Sequence, residues 1–281
     1  MTSAAELEAA WAERVRGNRD QVERLREVAD PTDFYAPVTD LFRDDPGRTD
    51  DPVLNRLLAL SEPGDTWLDI GAGAGRYALP LARRVREVVA VDPSPGMMGV
   101  LATEMATWQI PNIRPLVGRW PDEVPPGVAL PVDGSLIAHV GYDIEAIGPF
   151  LGAMERGTRR CCAAVLMERS PASISDPYWS AIHGEARVAL PALPEFLVLL
   201  LARGCLFEVT LSARPARRWA SRGDLVAFLR RQLWLHPERD KARHLERLVE
   251  ERPAEPDGSI VDAGDLQIGV VSWRPPQAAP D

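Results

Sequence analysis

The chain predicts an α/β fold built on a doubly wound, mostly parallel seven-stranded sheet, and three observations lead there. Short apolar runs alternate with amphipathic helical patterns over most of the 281 residues. A strand, a glycine turn, a helix and a second strand follow one another within residues 66–91, the βαβ unit that makes neighbouring strands parallel. The same alternation then repeats, which places helices on both faces of one sheet.

Taken in order, residues 5–28 read as a helix, with apolar Leu7, Trp11, Val15, Val22 and Leu25 among charged helix formers, and Pro31 ends the pattern. A second helix near Val53 to Leu60 stops at the turn Glu62-Pro63-Gly64-Asp65. The strand Thr66 to Ile70 opens the core, followed by a glycine loop and a helix from about Arg76 to Arg86. A strand from Glu87 to Val91 ends at Asp92. The helix Gly96 to Trp108 follows, then the strands Ile113 to Val117 and Gly134 to Val140. After a helix from Ile144 to Arg156 come the strand Ala163 to Glu168 and the helix Leu193 to Ala202. The strands Leu206 to Leu211 and Leu266 to Trp273 complete the sheet.

Residues 1–60 form an expected N-terminal helical lid, and 61–281 the main domain with insertions at about 169–192 and 213–265. The second insertion carries two helical patterns, the first opened by Ser221-x-x-Asp224, close to a capping box. Excursions this long in a compact domain tend to be functional lids.

Composition narrows the function. The hydrophobic content of 46% and charged content of 26% are those of a globular protein. A net charge of -9 argues against general nucleic-acid binding, which needs surplus surface Lys and Arg. Arg214, Arg217 and Arg218 read as a short solvated charge run. Cys161, Cys162 and Cys205 show neither disulfide nor metal-ligand spacing and lie in apolar surroundings, so they are expected as buried thiols in a reducing compartment. No metal site is expected. The N-terminus carries acids and lacks an apolar core, so no signal peptide is expected. The apolar run at 196–202 is too short to span a bilayer. A cytoplasmic protein without membrane or nucleic-acid partners is the expectation.

The segment TWLDIGAGAGRYALPLA sets Gly71, Gly73 and Gly75 between strand and helix. Glycine allows the sharp turn and lets a ligand approach the backbone more closely than a Cβ permits. The following helix start offers unpaired N–H groups and partial positive charge. Asp69, two residues before the first glycine, would repel a pyrophosphate and attract an ammonium group. Arg76 stands where a dinucleotide fingerprint needs Gly or Ala. Asp92, about 20 residues on, suits ribose hydroxyls. A nucleoside bearing an amino acid is favoured over a nicotinamide dinucleotide, and an oxidoreductase is the weaker alternative.

DIGAGAG followed by VVAVDPSPGMM resembles the first two motifs of the class I S-adenosylmethionine-dependent methyltransferases, which have a Rossmann-like core. The resemblance covers residues 63–168 and implies S-adenosylmethionine as cofactor. It implies that Gly71, Ala72, Gly73 and Gly75 line the methionine and ribose, with Asp69 near the amino end. It also implies Asp92 on the ribose, and Pro93 with Met97 or Met98 against adenine. Tyr35 before the core is expected over the methionine end. The loop Gly118-Arg119-Trp120 lacks the acidic residue that the family often carries there, which leaves backbone groups, Trp120 stacking or Asp122 for adenine.

The acceptor is expected to be a small molecule methylated on oxygen or nitrogen. His139, placed by this reading on the strand Gly134 to Val140, is the candidate general base or a cofactor contact. Glu168 and His183 are candidates for the acceptor side, with ion pairing and a surface role as the alternatives. His236 and His244 read as solvated. A role as a cofactor-binding sensor, or a methyltransferase for RNA or protein, remains as the alternative.

Overall fold

The computed structural model describes residues 2–29, 33, 43–122, 129–214, 216–262 and 266–276. Its elements are α1 (Ala4–Leu25), α2 (Pro52–Leu60), β1 (Thr66–Ile70), α3 (Ala78–Ala82), β2 (Glu87–Asp92), α4 (Pro95–Thr107), β3 (Ile113–Val117), β4 (Val132–Ala138), α5 (Ile147–Arg156) and β5 (Thr158–Met167). There follow a 3₁₀ turn (Pro171–Ser175), α6 (Asp176–His183), α7 (Leu193–Ala202), β6 (Phe207–Ala213), β7 (Arg217–Trp219), α8 (Arg222–Gln232), α9 (Asp240–Glu250), β8 (Ile260–Asp262) and β9 (Gln267–Trp273).

The main sheet has seven strands in the order β3-β2-β1-β4-β5-β9-β6. All pairs up to β4·β5 are parallel, while β9 runs antiparallel to both β5 and β6. This is the doubly wound, mostly parallel sheet that the sequence predicts. The strand order reverses between β1 and β4, so the crevice outside their carboxyl ends is the place where such sheets bind ligands.

Burial on both faces explains the strand sequences. Leu68, Ile70, Val89, Val91, Ile137, Cys162, Ala164 and Leu166 turn to one face, under α1, α5 and α7. Trp67, Val88, Ala90, Leu136, Cys161, Ala163 and Val165 turn to the other, under α2, α3 and α4. The period of two sends adjacent Cys161 and Cys162 to opposite cores, where both are free thiols, as is buried Cys205. Among the described residues, no helix is long and apolar enough to cross a membrane.

The two insertions share a third core. Tyr178, Trp179 and Ile182 of α6 pack with Leu225 and Leu229 of α8, Leu245 and Val249 of α9, and Trp219 and Ile260 of the small β7–β8 ribbon. Ser221 caps α8 as its spacing suggests, its Oγ accepting the Asp224 N–H at 3.1 Å. Helix α1 is anchored along its length: Trp11 Nε1 donates to Ile144 O at 3.1 Å and Arg16 pairs with Glu145 at 2.6 Å.

Several boundaries differ from the sequence reading. α3 has five residues, because from Arg84 the chain tightens into a turn, the Arg84 N–H donating to Leu81 O at 2.8 Å. β5 begins at Thr158, earlier than its apolar run, because Arg159 and Arg160 occupy strand positions and pair at the rim with Asp133 and Asp65. β4 ends at Ala138 and leaves His139 outside the strand.

Candidate cofactor site at the carboxyl edge

The loop after β1 is held by the end of β2. The N–H groups of Gly71 and Ala72 both donate to Val91 O, at 2.7 and 3.2 Å. Gly71, Gly73 and Gly75 have φ of 76°, 55° and 90°, in the left-handed region that disfavours side chains. Their surroundings differ. A Cβ on Gly71 would lie 2.4 Å from Val140 Cγ2, and one on Gly75 2.5 Å from Leu101 Cδ1. A Cβ on Gly73 would meet nothing within 4 Å, so the middle of the loop faces open space.

Asp92 locks this loop and retains acceptor capacity. Its Oδ2 accepts the Gly73 N–H at 2.9 Å and its Oδ1 the Ser94 N–H at 2.8 Å. A carboxylate oxygen has two lone pairs, so each has one left for a hydroxyl. Burial raises the proton affinity of Asp92 and the two N–H bonds oppose that rise. Asp33, which sequence reasoning did not single out, borders the same corner, accepting from Ser94 Oγ at 2.7 Å and Gly96 N at 3.3 Å. Tyr35 lies outside the described residues.

Asp69 is 2% exposed, and its Oδ1 has no hydrogen-bond partner among the described residues. Burial, with the charge of Asp92 added, pushes its pKa up to about 7. A buried carboxyl with an unmade bond is expensive to keep unless a donor or cation completes it.

His139 sits just past β4 with φ 58°, so strand alternation does not set its direction, contrary to the strand placement read from sequence. Its N–H donates to Val165 O at 2.8 Å, and its Nδ1 is buried without a partner among the described residues. Burial, reinforced by Arg76 and opposed by Asp51, lowers its pKa to about 4, so the ring is neutral at physiological pH. Trp120 is 7% exposed within the first core, with Nε1 unpartnered among the same residues. Gly118 N–H donates to Asp92 O at 3.1 Å, while Arg119 and Pro93 are exposed. Met98 packs in the second core, whereas Met97, equally buried, belongs to none of the three clusters.

A strap over the loop was not legible in the sequence. Arg48 pairs with Asp51 at 2.9 Å and donates to Arg76 O at 3.1 Å, and Arg76 reaches Asp44 at 3.5 Å. Both guanidiniums lie 5.6 Å from the Tyr77 ring centroid.

Residues 68–134 match the family model described as a methyltransferase domain. The match spans the glycine loop, Asp92 and the strands around them, so this part of the chain is similar to methyltransferase domains. A 50-residue stretch is 46% identical to the Probable ribosomal RNA small subunit methyltransferase A of Methanosarcina mazei. It covers 17% of this chain and only 18% of that protein. The YcgJ protein of Bacillus subtilis is similar in structure, with a TM-score of 0.53 at 15% identity over 79% of this chain and 97% of that one. A methyltransferase of Thiobacillus denitrificans in complex with S-adenosyl-L-homocysteine has a TM-score of 0.51 at 13% identity, covering 88% of this chain and all of the other. At these identities the likeness is one of fold.

The residues at this carboxyl edge fit such a nucleoside. Asp69 Oδ1, His139 Nδ1 and Trp120 Nε1 are buried without hydrogen-bond partners among the described residues, and Gly73 leaves its space open. Among the described residues no group of His, Cys, Asp or Glu is arranged to hold a metal ion. Tyr142 serves the fold instead, its oxygen accepting the Met167 N–H at 2.7 Å and so tying the turn after β4 to β5. On the acceptor side, Glu168 forms no ion pair among the described residues and accepts the Gln267 N–H at 3.2 Å. His183 belongs with the insertions, its ring tilted 45° to that of Trp179 with centroids 4.4 Å apart, and Lys241 Nζ lies 3.2 Å from its Nδ1.

Proposed function

We propose that this chain transfers a methyl group from S-adenosylmethionine to an oxygen or nitrogen of a small molecule. The observation that carries the reading is Asp69, a buried carboxyl with a free acceptor atom beside the glycine loop, a feature suited to an ammonium and hostile to a pyrophosphate. S-adenosylmethionine supplies a methyl group already activated by the positive sulfur to which it is bound.

In this reading Asp69 holds the amino end, the open face at Gly73 admits the ligand, and Asp92 accepts from the ribose hydroxyls with its remaining lone pairs. Gly71, Ala72 and Gly75 shape the same cradle. Pro93, Met97, Gly118, Arg119 and Trp120 border the adenine. Asp33, hydrogen-bonded to the start of α4, borders the same edge. Orientation of this kind is worth roughly 7–11 kcal/mol. His139, neutral and with Nδ1 unpartnered, accepts a proton or a hydrogen bond at the reaction edge.

The net charge of -9 supports a small acceptor over RNA, despite the short match to an RNA methyltransferase. Calorimetric titration with S-adenosylhomocysteine and with NAD tests the nucleotide, and binding of NAD in place of the former refutes the reading. A methyl-donor turnover screen over phenols, amines, carboxylates and RNA tests the acceptor. Tight cofactor binding with no turnover would favour a sensor.

A further inference from the structure

A second concave site lies where the chain leaves β5. Its cavity, about 110 Å³, is enclosed by α1, the turn after β5 and the segment leading into α7, and its walls include Arg14, Glu168, Arg169, Ser173, Arg187 and Glu195. β1, β4 and β5 are successive neighbours in the sheet, so this turn stands roughly 10 Å along the carboxyl edge from the glycine loop, two strand spacings away.

The charges around the cavity are not equivalent. Arg14 is held as a wall through all three of its nitrogens, paired with Glu195 at 2.5 Å and bonded to the carbonyls of Ala189 and Leu190 at 3.2 and 3.0 Å. Arg187 is different. Its side chain is only 9% exposed, and all its hydrogen bonds leave from Nη1, to Ala172 O at 2.7 Å, Ser175 Oγ at 2.7 Å and Asp176 at 3.5 Å. The guanidinium is clamped 4.5 Å over the Trp179 ring, while Nε and Nη2 are left without hydrogen bonds among the described residues. These two nitrogens are not among the buried unpartnered atoms, so a guanidinium anchored through one nitrogen at the cavity wall keeps solvent-reachable donors that suit a carboxylate. Exposed Arg169 adds a second cation, attracted by Asp176 yet in no ion pair among the described residues. Glu168 supplies the opposite charge, its Oε1 without a hydrogen bond among the described residues.

We infer that this cavity holds the zwitterionic head of an α-amino acid acceptor, its carboxylate on Arg187 and Arg169 and its ammonium on Glu168. The proposal rests on the methyl-transfer reading and deepens it. An ammonium held as a cation has no lone pair to accept a methyl group, so the accepting oxygen or nitrogen belongs to the amino-acid side chain, which reaches back along the edge toward His139. The volume suits a head group and leaves the rest of the molecule outside it.

The test is calorimetric titration of the full chain with each of the twenty common L-α-amino acids, with and without S-adenosylhomocysteine. For each one that binds, the corresponding decarboxylated amine and deaminated acid are titrated too. The expected result is binding of at least one amino acid, with each truncated partner at least tenfold weaker. Arg187→Gln should weaken that binding tenfold or more. Because Arg187 also holds the 3₁₀ turn, Arg169→Gln and Glu168→Gln, at exposed positions, serve as the second arm and should each weaken it several-fold. None of the three should change the affinity for S-adenosylhomocysteine. Absence of amino-acid binding, or a truncated partner binding equally well, overturns the proposal. Failure of S-adenosylhomocysteine to bind overturns instead the reading on which it rests.

Discussion

Acidification from pH 8 to pH 6 is the perturbation that bears most directly on the cofactor site, because it titrates Asp69. With a pKa of about 7, this carboxyl is about nine-tenths ionised at pH 8 and about one-tenth at pH 6. If the ammonium of S-adenosylhomocysteine binds only the ionised form, the affinity falls about tenfold across that interval, and binding at pH 6 releases about 0.9 proton. The groups around it leave this window to Asp69: His139 stays neutral down to about 4, and burial holds Tyr77 and Tyr142 protonated. Burial also raises the proton affinity of Asp92, opposed there by its two backbone N–H bonds. Titration calorimetry in buffers of different ionisation enthalpy reads both quantities. Asp69→Asn should abolish the pH slope and weaken binding at pH 8. An affinity equal at the two pH values, or a slope that survives in Asp69→Asn, would refute the argument. The same shift acts on stability with a defined sign. Folding raises the proton affinity of this group, so its contribution is full below pH 4 and is lost as pH rises through 7. The loss amounts to about 4 kcal/mol, at about 1.4 kcal/mol per tenfold in proton affinity. Ligand-free Asp69→Asn should therefore be the more stable protein at pH 8, by up to that amount, in urea unfolding.

Other substitutions separate packing from binding. Asp92→Ala removes the acceptor of two backbone N–H groups and should weaken S-adenosylhomocysteine at least tenfold, consistent with about 1.5–3 kcal/mol for a charged hydrogen bond; calorimetry checks it. Gly71→Ala drives a methyl into Val140 at positive φ and should lower the urea midpoint markedly. Gly73→Ala has room and bears only the cost of the left-handed backbone, about 1–2 kcal/mol, so it should keep the fold and lose the ligand. The His139 ring should show no titration between pH 8 and 5.5 in carbon-13 NMR. Its depressed proton affinity adds stability present above pH 6.5 that disappears as pH falls through 4.

What the chain alone determined is what depends on neighbours in sequence. β1, β3 and α7 appear with the boundaries their residues predict; β1 is buried at every position, and the Pro63-Gly64 turn and the Ala192-Leu193-Pro194 segment mark where β1 and α7 begin. The glycine loop and Asp92 were legible for the same reason: turn, helix start and strand end are local. Tertiary structure decided the rest. Arg159 and Arg160 concealed the start of β5 because charged residues fit a strand only once Asp133 and Asp65, far off in sequence, stand beside them. The left-handed backbone of His139, the Arg48–Arg76 strap, the core shared by the two insertions and the open donors of Arg187 likewise involve residues that sequence order keeps apart. Burial and proton affinity sum the influence of every group within a few ångströms, and only the folded chain specifies which groups those are.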